Sequence, residues 1–342
     1  MLATTRVSRL EELVIDGFGA FVGKKSERLV VKLKGEVIFE RPFFDVERVI
    51  VATGGATISA AAIHECVRHG IPMEFLSFSG APYASLVSPN LGGTVRTRRE
   101  QLLAYEDCRG VELGKAFAVG KLRNSANVLK YFAKYRKGAD RRTYDFLYRR
   151  VDRIEELVRL VEEIEGSRAD EVRGALLNAE GRGAALYWEG VERLVPEFSG
   201  REGRGAGDLV NSLLNYGYGI LYHRVLSAVT RAGLDPFAGY VHTDRPGKPS
   251  LVLDLIEEFR GQVVDRTVLG MLGTGFKVGM DGGMLDEATR KLLAGKVRER
   301  LATRIKHRGR RHSLENVIHI QARGVAGFVR DGVIYRPFVG SW

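Results

Sequence analysis

The feature that most constrains this chain is a change of hydrophobic period across one cluster of backbone breakers, SPNLGG, Ser88 to Gly93. Side chains alternate on a strand and recur every 3.6 residues on a helix, so one pattern does not serve both. Upstream lie short runs rich in β-branched and aromatic residues; downstream lie long charged and apolar segments at helical spacing. The two sides must therefore fold as different classes. The expected fold is α+β: a small β-sandwich-like domain over residues 1–87, a linker over 88–93, and a larger all-α domain over 94–342. A chain of 342 residues is long enough for two hydrophobic cores.

Within the first part, LVID, GAFVG, RLVVKLKG, EVIFE, RVIVA, PMEFLSF and YASLV read as strands. Lys34 and Gly35, between RLVVKL and EVIFE, suit a tight hairpin, where glycine takes a positive φ. TISAAAIHECVRHG, Thr57 to Gly70, interrupts the strands with one short helix. Beyond the break, helices are predicted over about Val95 to Arg136, Arg141 to Glu165, Ala169 to Pro196 and Gly207 to Ala232. FSGREGRGAG, Phe198 to Gly207, reads as a linker.

Lys and Arg number 53 against 42 Asp and Glu, a net charge of +11 and a pI near 9.7. That balance suits a polyanionic partner bound by counterion release, with nucleic acid ahead of anionic lipid. No run approaches the roughly 18 apolar residues of a membrane span. The opening MLATTRVSRLEELVIDG lacks an apolar signal core, so a cytoplasmic location is expected. Cys66 and Cys108 are too few for a disulfide framework or a thiolate zinc cage, and both read as buried small hydrophobes.

Three features are set aside. GFGAFVG, Gly17 to Gly23, resembles a dinucleotide loop but is flanked by strands on both sides, which makes it a β turn. His64, Cys66 and His69 share one short helix without a second ligand cluster. RERLATRIKHRGRRHS, Arg298 to Ser313, carries seven Lys/Arg and two His on what begins as a helix; a phosphate-contacting surface is favoured over a merely solvated face.

The chemistry concentrates in GYVHTDRPGKPSLVLDLIEEFR, Gly239 to Arg260. His242 precedes a Pro- and Gly-rich turn that would hold its imidazole at an element end facing solvent. Ser250 is a plausible N-cap, and Asp254 and Glu257 follow three apart, on one face of a helix framed by apolar residues. A carboxylate facing inward there is costly unless it meets a cation. One imidazole with several carboxylates suits Mn²⁺ best and Mg²⁺ next, with zinc less suited. The alternative is ion pairing of Asp254 or Glu257 with Arg245, Lys248 or Arg260. Upstream, Glu180 lies among small residues that permit close approach; Glu189 is roughly 13 Å further along the same helix, so both cannot serve one ion.

With these residues in view, the chain resembles the Cas-one family, the integrase of CRISPR adaptation, over nearly its whole length. The resemblance rests on NAEGRGAALYWEG (Asn178 to Gly190), GAGDLVNSLLNYGYGILYH (Gly205 to His223), GLDPFAGYVHTDRPGKPSLVLDLIEEFR (Gly233 to Arg260), FKVGMDGGMLDEATRKLLAGKVRERL (Phe276 to Leu301) and ENVIHIQARGVAGFVRDGVIYRPF near the C-terminus. It implies an N-terminal dimerisation domain and a helical catalytic domain. It further implies that Glu180, His242 and Asp254 hold the metal, with Glu257 a ligand or an outer residue. Asn211, Tyr222 and Arg245 would lie beside the site, with Tyr222 and Arg245 among its catalytic groups. DNA would meet Arg245, Lys248, Arg260, Arg290, Lys291, Arg304 and Arg308. The partners implied are captured duplex DNA, the CRISPR repeat, branched DNA, a second copy of the chain and a small Cas-two dimer. The expected reaction is transesterification by a DNA 3′-hydroxyl, with nuclease and disintegration activity at the same site. A non-catalytic DNA scaffold and a small-phosphoester hydrolase are the competing classes.

Overall fold

The computed structural model describes residues 11–77, 82–86, 94–203 and 207–342. The chain divides into two compact units, Met1–Leu91 and Gly92–Trp342. The expected linker at 88–93 lies outside the described residues.

The first unit holds β1 (Glu11–Ile15), β2 (Phe21–Lys25), β3 (Arg28–Leu33), β4 (Glu36–Pro42), β5 (Val46–Val51), β6 (Thr57–Ile58), helix α1 (Ala60–Arg68), β7 (Met73–Leu76) and β8 (Pro82–Leu86). They form two four-stranded sheets, β1-β5-β7-β8 and β4-β3-β2-β6. The predicted hairpin joins β3 to β4, with Lys34 and Gly35 both at positive φ, as a two-residue primed turn requires. β1, β5 and β7 run parallel, which needs a crossover, and α1 lies in the β5-to-β7 connection. Leu13, Val22, Leu29, Val31, Val49, Met73 and the α1 residues Ala62 and Cys66 make the core. Cys66 is buried as expected, and burial pushes its thiol up to about 12. Cys108 is instead exposed, because it opens a helix beside the capping Asp107.

The second unit is mostly helical: α2 (Thr94–Ala104), α3 (Cys108–Ala133), α4 (Arg141–Glu162), α5 (Ala169–Leu194), α6 (Leu209–Arg231), α7 (Ser250–Arg260), α8 (Arg266–Gly273), α9 (Glu287–Ala302) and α10 (Leu314–Asp331). The single helix predicted over 95–136 breaks where the Asp107 side chain caps the Arg109 amide at 2.9 Å and starts α3. Two ribbons qualify the all-α expectation, β9 (Met280–Asp281) with β10 (Met284–Leu285) and β11 (Arg304–His307) with β12 (Arg310–Ser313). The basic run at 298–313 begins on α9, as expected, and continues as the second ribbon. Arg308 and Gly309 at positive φ form its turn, and its five Lys/Arg, Arg304, Lys306, Arg308, Arg310 and Arg311, are exposed.

Helix α3 packs against α4, α5 and α7. On α5, Gly183 and Gly190 are one heptad apart and face Leu122 and Leu129 of α3, where a Cβ would come within 2.1 and 2.6 Å of the leucine side chains. Their lack of side chain lets the two helix backbones approach closely. A π turn over Gly261–Asp265 carries α7 into α8.

The C-terminal strand of chain after α10 has no regular structure, yet it is bound tightly. Asn124 of α3 donates to the carbonyls of Glu258 and Phe338 (2.8 and 2.7 Å) and accepts from Gly340 N (2.8 Å). The buried Glu258 carboxylate accepts from Tyr335 Oη, Gln321 Nε2 and Phe338 N at 2.6, 2.9 and 2.7 Å. Burial still raises this carboxyl to about 7, against the three donors that favour its charge. The fold thus holds the proton more tightly than the unfolded chain, which titrates near 4.5. Its stabilising contribution is complete below that value and is lost as pH rises through about 7. Glu258→Gln should therefore gain on wild type by on the order of 2–3 kcal/mol between about pH 5 and pH 8. Urea denaturation at both pH values checks this, and a pH-independent difference would refute it.

Candidate active site

Asp254 is the organising residue of the segment that sequence reading singled out. It lies on α7, buried, and its carboxylate faces residues 240–242. Oδ2 accepts from Tyr240 N at 2.6 Å and Val241 N at 3.1 Å. Oδ1 accepts from His242 N at 2.9 Å and stands 2.7 Å from His242 Nδ1. Four contacts fill the roughly four lone-pair sites of a carboxylate. The approach is close: a Cβ on Gly239 would lie 2.7 Å from Asp254 Oδ2 and from the Ser250 carbonyl carbon. Ser250 is the first residue of α7, not its cap. Its hydroxyl instead binds the Phe237 carbonyl and Asp244 Oδ1 and accepts from Gly239 N.

With Nδ1 held by Asp254, the His242 ring is fixed by a hydrogen bond and its Nε2 is left for other use. His242 is half-buried. Arg245, Pro246, Gly247 and Lys248 make a tight turn closed by Lys248 N to Arg245 O at 2.9 Å, with Gly247 at positive φ. That turn leaves Arg245 exposed and Lys248 half-buried.

A second group joins three helices. Lys121 of α3 places Nζ 2.5 Å from Glu180 Oε1 on α5 and 2.9 Å from Glu257 Oε2 on α7. Arg260 Nη1 lies 3.0 Å from Glu257 Oε1. Burial opposes charge on both partners, yet Arg260, Lys121 and His242 hold the Glu257 carboxyl well below its usual range. Burial likewise disfavours the Lys121 ammonium, and the Glu257 and Glu180 carboxylates overcome it and raise its pKa. Arg260 stacks over the Tyr218 ring at 4.9 Å. Tyr218 and Tyr187 both donate to buried Asp265.

The structure separates the two glutamates of α5. They are nine residues apart, which puts them on opposite faces of a helix. Glu189 pairs with Arg150 of α4 at 3.0 Å, away from Lys121. Lys121 itself went unnoticed in the sequence. The signal was there: Gly114, Phe117 and Ala118 before it and Asn124 and Val128 after it are buried at helical spacing, so this lysine falls on an inward face.

Asn211, buried at the start of α6, holds the preceding loop through Arg201 Nη1, Glu202 N and Gly200 O at 2.8–2.9 Å. Tyr222 is half-buried with its ring edge-on to His223. Arg290 and Lys291 lie on α9, and Lys291 pairs with Glu287 at 2.8 Å. Arg304 and Arg308 are on the β11–β12 ribbon; Arg308 reaches Gln321 at 3.3 Å. In this structure neither Glu180, His242 and Asp254 nor Glu180, His242 and Glu257 bring three ligand atoms within 4.8 Å of one another. Among the described residues, three potential ligands with atoms within 4.8 Å of one another occur at Glu27, Glu65 and His69. There Lys24 at 2.6 Å and Arg68 at 2.7 Å already neutralise Glu65, and His69 stacks on Phe43.

Residues 13–299 match the family described as CRISPR associated protein Cas1. The chain belongs to the Cas1 family. It is 38% identical over 346 aligned residues to a CRISPR-associated endonuclease Cas1 of Archaeoglobus fulgidus, covering 96% of this chain and 99% of that protein. Its fold is similar to that of a casposase bound to an integration product (TM-score 0.78, 22% identity, 96% of this chain and 93% of that one). It is also similar to a chain of a Cas6-RT-Cas1–Cas2 complex (TM-score 0.75, 18% identity, 97% of this chain and 36% of that one).

In this Cas1 chain the Asp254 carboxylate should matter to stability as well as to His242. Asp254→Asn puts an N–H against backbone donors and leaves at least one of them unsatisfied, at a cost of about 2–4 kcal/mol. Chemical denaturation measures it, and a change under about 0.5 kcal/mol would mean that the loop does not depend on this carboxylate.

Proposed function

We propose that this protein is a metal-dependent DNA integrase and endonuclease that joins captured DNA fragments into a CRISPR array. The observation that carries the reading is the buried charge group at the junction of α3, α5 and α7, beside a histidine whose ring is fixed through Nδ1. Two carboxylates from different helices share one cation there, and His242 is near enough to help hold the Glu257 carboxyl below its usual range. Oxygen and imidazole donors in that mixture fit Mn²⁺ or Mg²⁺.

The residues that would hold the ion are Glu180, Glu257 and His242 through Nε2. Asp254, whose oxygens already receive four contacts, moves from ligand to positioning residue: it fixes the His242 tautomer and orients the ring. Glu257, expected as a ligand or an outer residue, takes the ligand role in this reading. When bound, the ion supplies Lewis acidity to a phosphodiester. Arg260 keeps Glu257 ionised and aimed. Arg245 and Lys248, on the turn after His242, are placed to meet a phosphate. A DNA 3′-hydroxyl attacks the phosphodiester and the displaced strand leaves as a new 3′-hydroxyl; water in its place gives hydrolysis, and the reverse attack gives disintegration of branched DNA.

Captured duplex DNA and the CRISPR repeat are the substrates in this reading, with Arg290, Arg304 and Arg308 as further phosphate contacts. A small Cas2 dimer is the expected partner, supported by the fold's likeness to the Cas2-bound assembly. The N-terminal unit serves as the homodimer surface; its large apolar side chains Phe18, Val37, Ile38 and Phe44 are more than half exposed. No helix among the described residues is long and apolar enough to cross a membrane, and the proposed site of action is the cytoplasm.

Strand transfer on a branched DNA substrate tests the reading, with wild type and His242→Ala assayed in Mn²⁺, Mg²⁺ and EDTA. Joining by wild type, abolished by EDTA and reduced at least about 100-fold in the variant while duplex binding persists, is the expected result. Equal duplex binding with no metal-dependent joining or cutting in either protein would overturn it in favour of a DNA scaffold.

A further inference from the structure

We propose that Lys121 is a place-holding cation: its ammonium neutralises Glu180 and Glu257 until a divalent ion displaces it, and the displaced ammonium then pairs with the incoming phosphate. This rests on the metal-site reading above.

Three observations lead to it. Nζ lies between two carboxylates that come from separate helices, at 2.5 and 2.9 Å, so the lysine occupies the gap in which both could share an ion. Glu257 is buried, and its Oε2 meets the Lys121 ammonium at 2.9 Å, which takes up one of that oxygen's two lone pairs. An oxygen in that state keeps lone-pair capacity for another cation. Finally, the lysine side chain as a whole is one-fifth exposed and carries its ammonium on a flexible four-carbon stem.

Charge balance argues the same way. Glu180 and Glu257 are matched by Lys121 and Arg260, and the group is neutral as it stands. Adding a divalent ion with both cations in place leaves two uncompensated positive charges in a buried setting, which is costly. Moving the ammonium out relieves that repulsion. A phosphodiester then supplies a negative charge between the ion and the lysine, so the same side chain that opposes ion binding in free protein favours substrate once the ion is in. Lys121 thereby couples occupancy by metal to arrival of DNA.

The consequence is an unusual variant phenotype, in which metal binds better and chemistry is worse. Mn²⁺ binding to the full chain without DNA is measured by the electron paramagnetic resonance signal of free Mn²⁺, for wild type, Lys121→Met, Lys121→Gln and Glu257→Gln. Melting in EDTA and in Mn²⁺, and strand transfer at saturating Mn²⁺, complete the set. Gln retains a donor for one carboxylate and carries the affinity measurement if the Met protein does not fold in EDTA. Both Lys121 variants should bind Mn²⁺ about tenfold or more tightly than wild type, since an opposing charge at contact distance is gone. They should melt lower in EDTA, recover in Mn²⁺, and join DNA at least about tenfold more slowly. Unchanged or weaker Mn²⁺ affinity in both, with Glu257→Gln losing the ion, overturns the role of Lys121 and leaves the metal site standing. Wild-type joining by Lys121→Gln at saturating Mn²⁺ overturns the phosphate role. Retention of the ion at wild-type affinity by Glu257→Gln overturns the ligand assignment itself, and this proposal with it.

Discussion

Burying carboxylates among helices is possible only where each charge is answered, and the second unit of this protein is arranged around that requirement. Asp254 is answered by backbone amides and a histidine, Glu257 and Glu180 by a lysine and an arginine, Glu258 by a tyrosine, a glutamine and an amide of the C-terminal segment. These groups lie on or against α7, whose other positions are filled by Leu251, Val252, Leu255, Ile256 and Phe259, all buried. Removing one partner from such a pair leaves an uncompensated charge in a low-dielectric setting, which costs far more than the pair contributes. The helix therefore holds both the site and the core in place, and neither is separable from the other.

Close backbone approach is the second condition. Gly183 and Gly190 bring α5 against α3, which sets Glu180 within reach of Lys121; Gly239 brings residues 240–242 against the start of α7, which lets three successive amides point at one carboxylate. The C-terminal segment closes the far side through Asn124 and Glu258, one on each of the helices that carry Lys121 and Glu257. Three helices and a strap thus fix four charged groups whose sequence positions span more than a hundred residues.

Much of this is legible in the sequence. The change of period at Ser88–Gly93 separated a sheet-rich part from a helical one, and the mismatch of Asp254 and Glu257 with their apolar frame marked α7. What the sequence left open was which oxygen faces what. Asp254 and Glu257 are three apart and share a helix face, yet one meets a peptide segment and the other two cations, a difference set by tertiary neighbours and not by spacing. Lys121 was overlooked because a lysine within a long helix reads as solvated; only the burial of its helix-face neighbours reveals it. The basic run at 298–313 begins as a helix, as expected, but charge density says nothing of backbone conformation beyond that start, and Arg308 and Gly309 at positive φ turn the rest into a ribbon. Cys108 likewise reads as apolar until the Asp107 cap places it in an exposed first turn.

The ligand set is the central claim, and anomalous scattering from crystals soaked in Mn²⁺ addresses it most directly. A peak bound by Glu180, Glu257 and His242 Nε2, with Asp254 still on His242 Nδ1 and Lys121 withdrawn, is the expected result. A peak ligated by Asp254, or one found only at Glu27, Glu65 and His69, would contradict it.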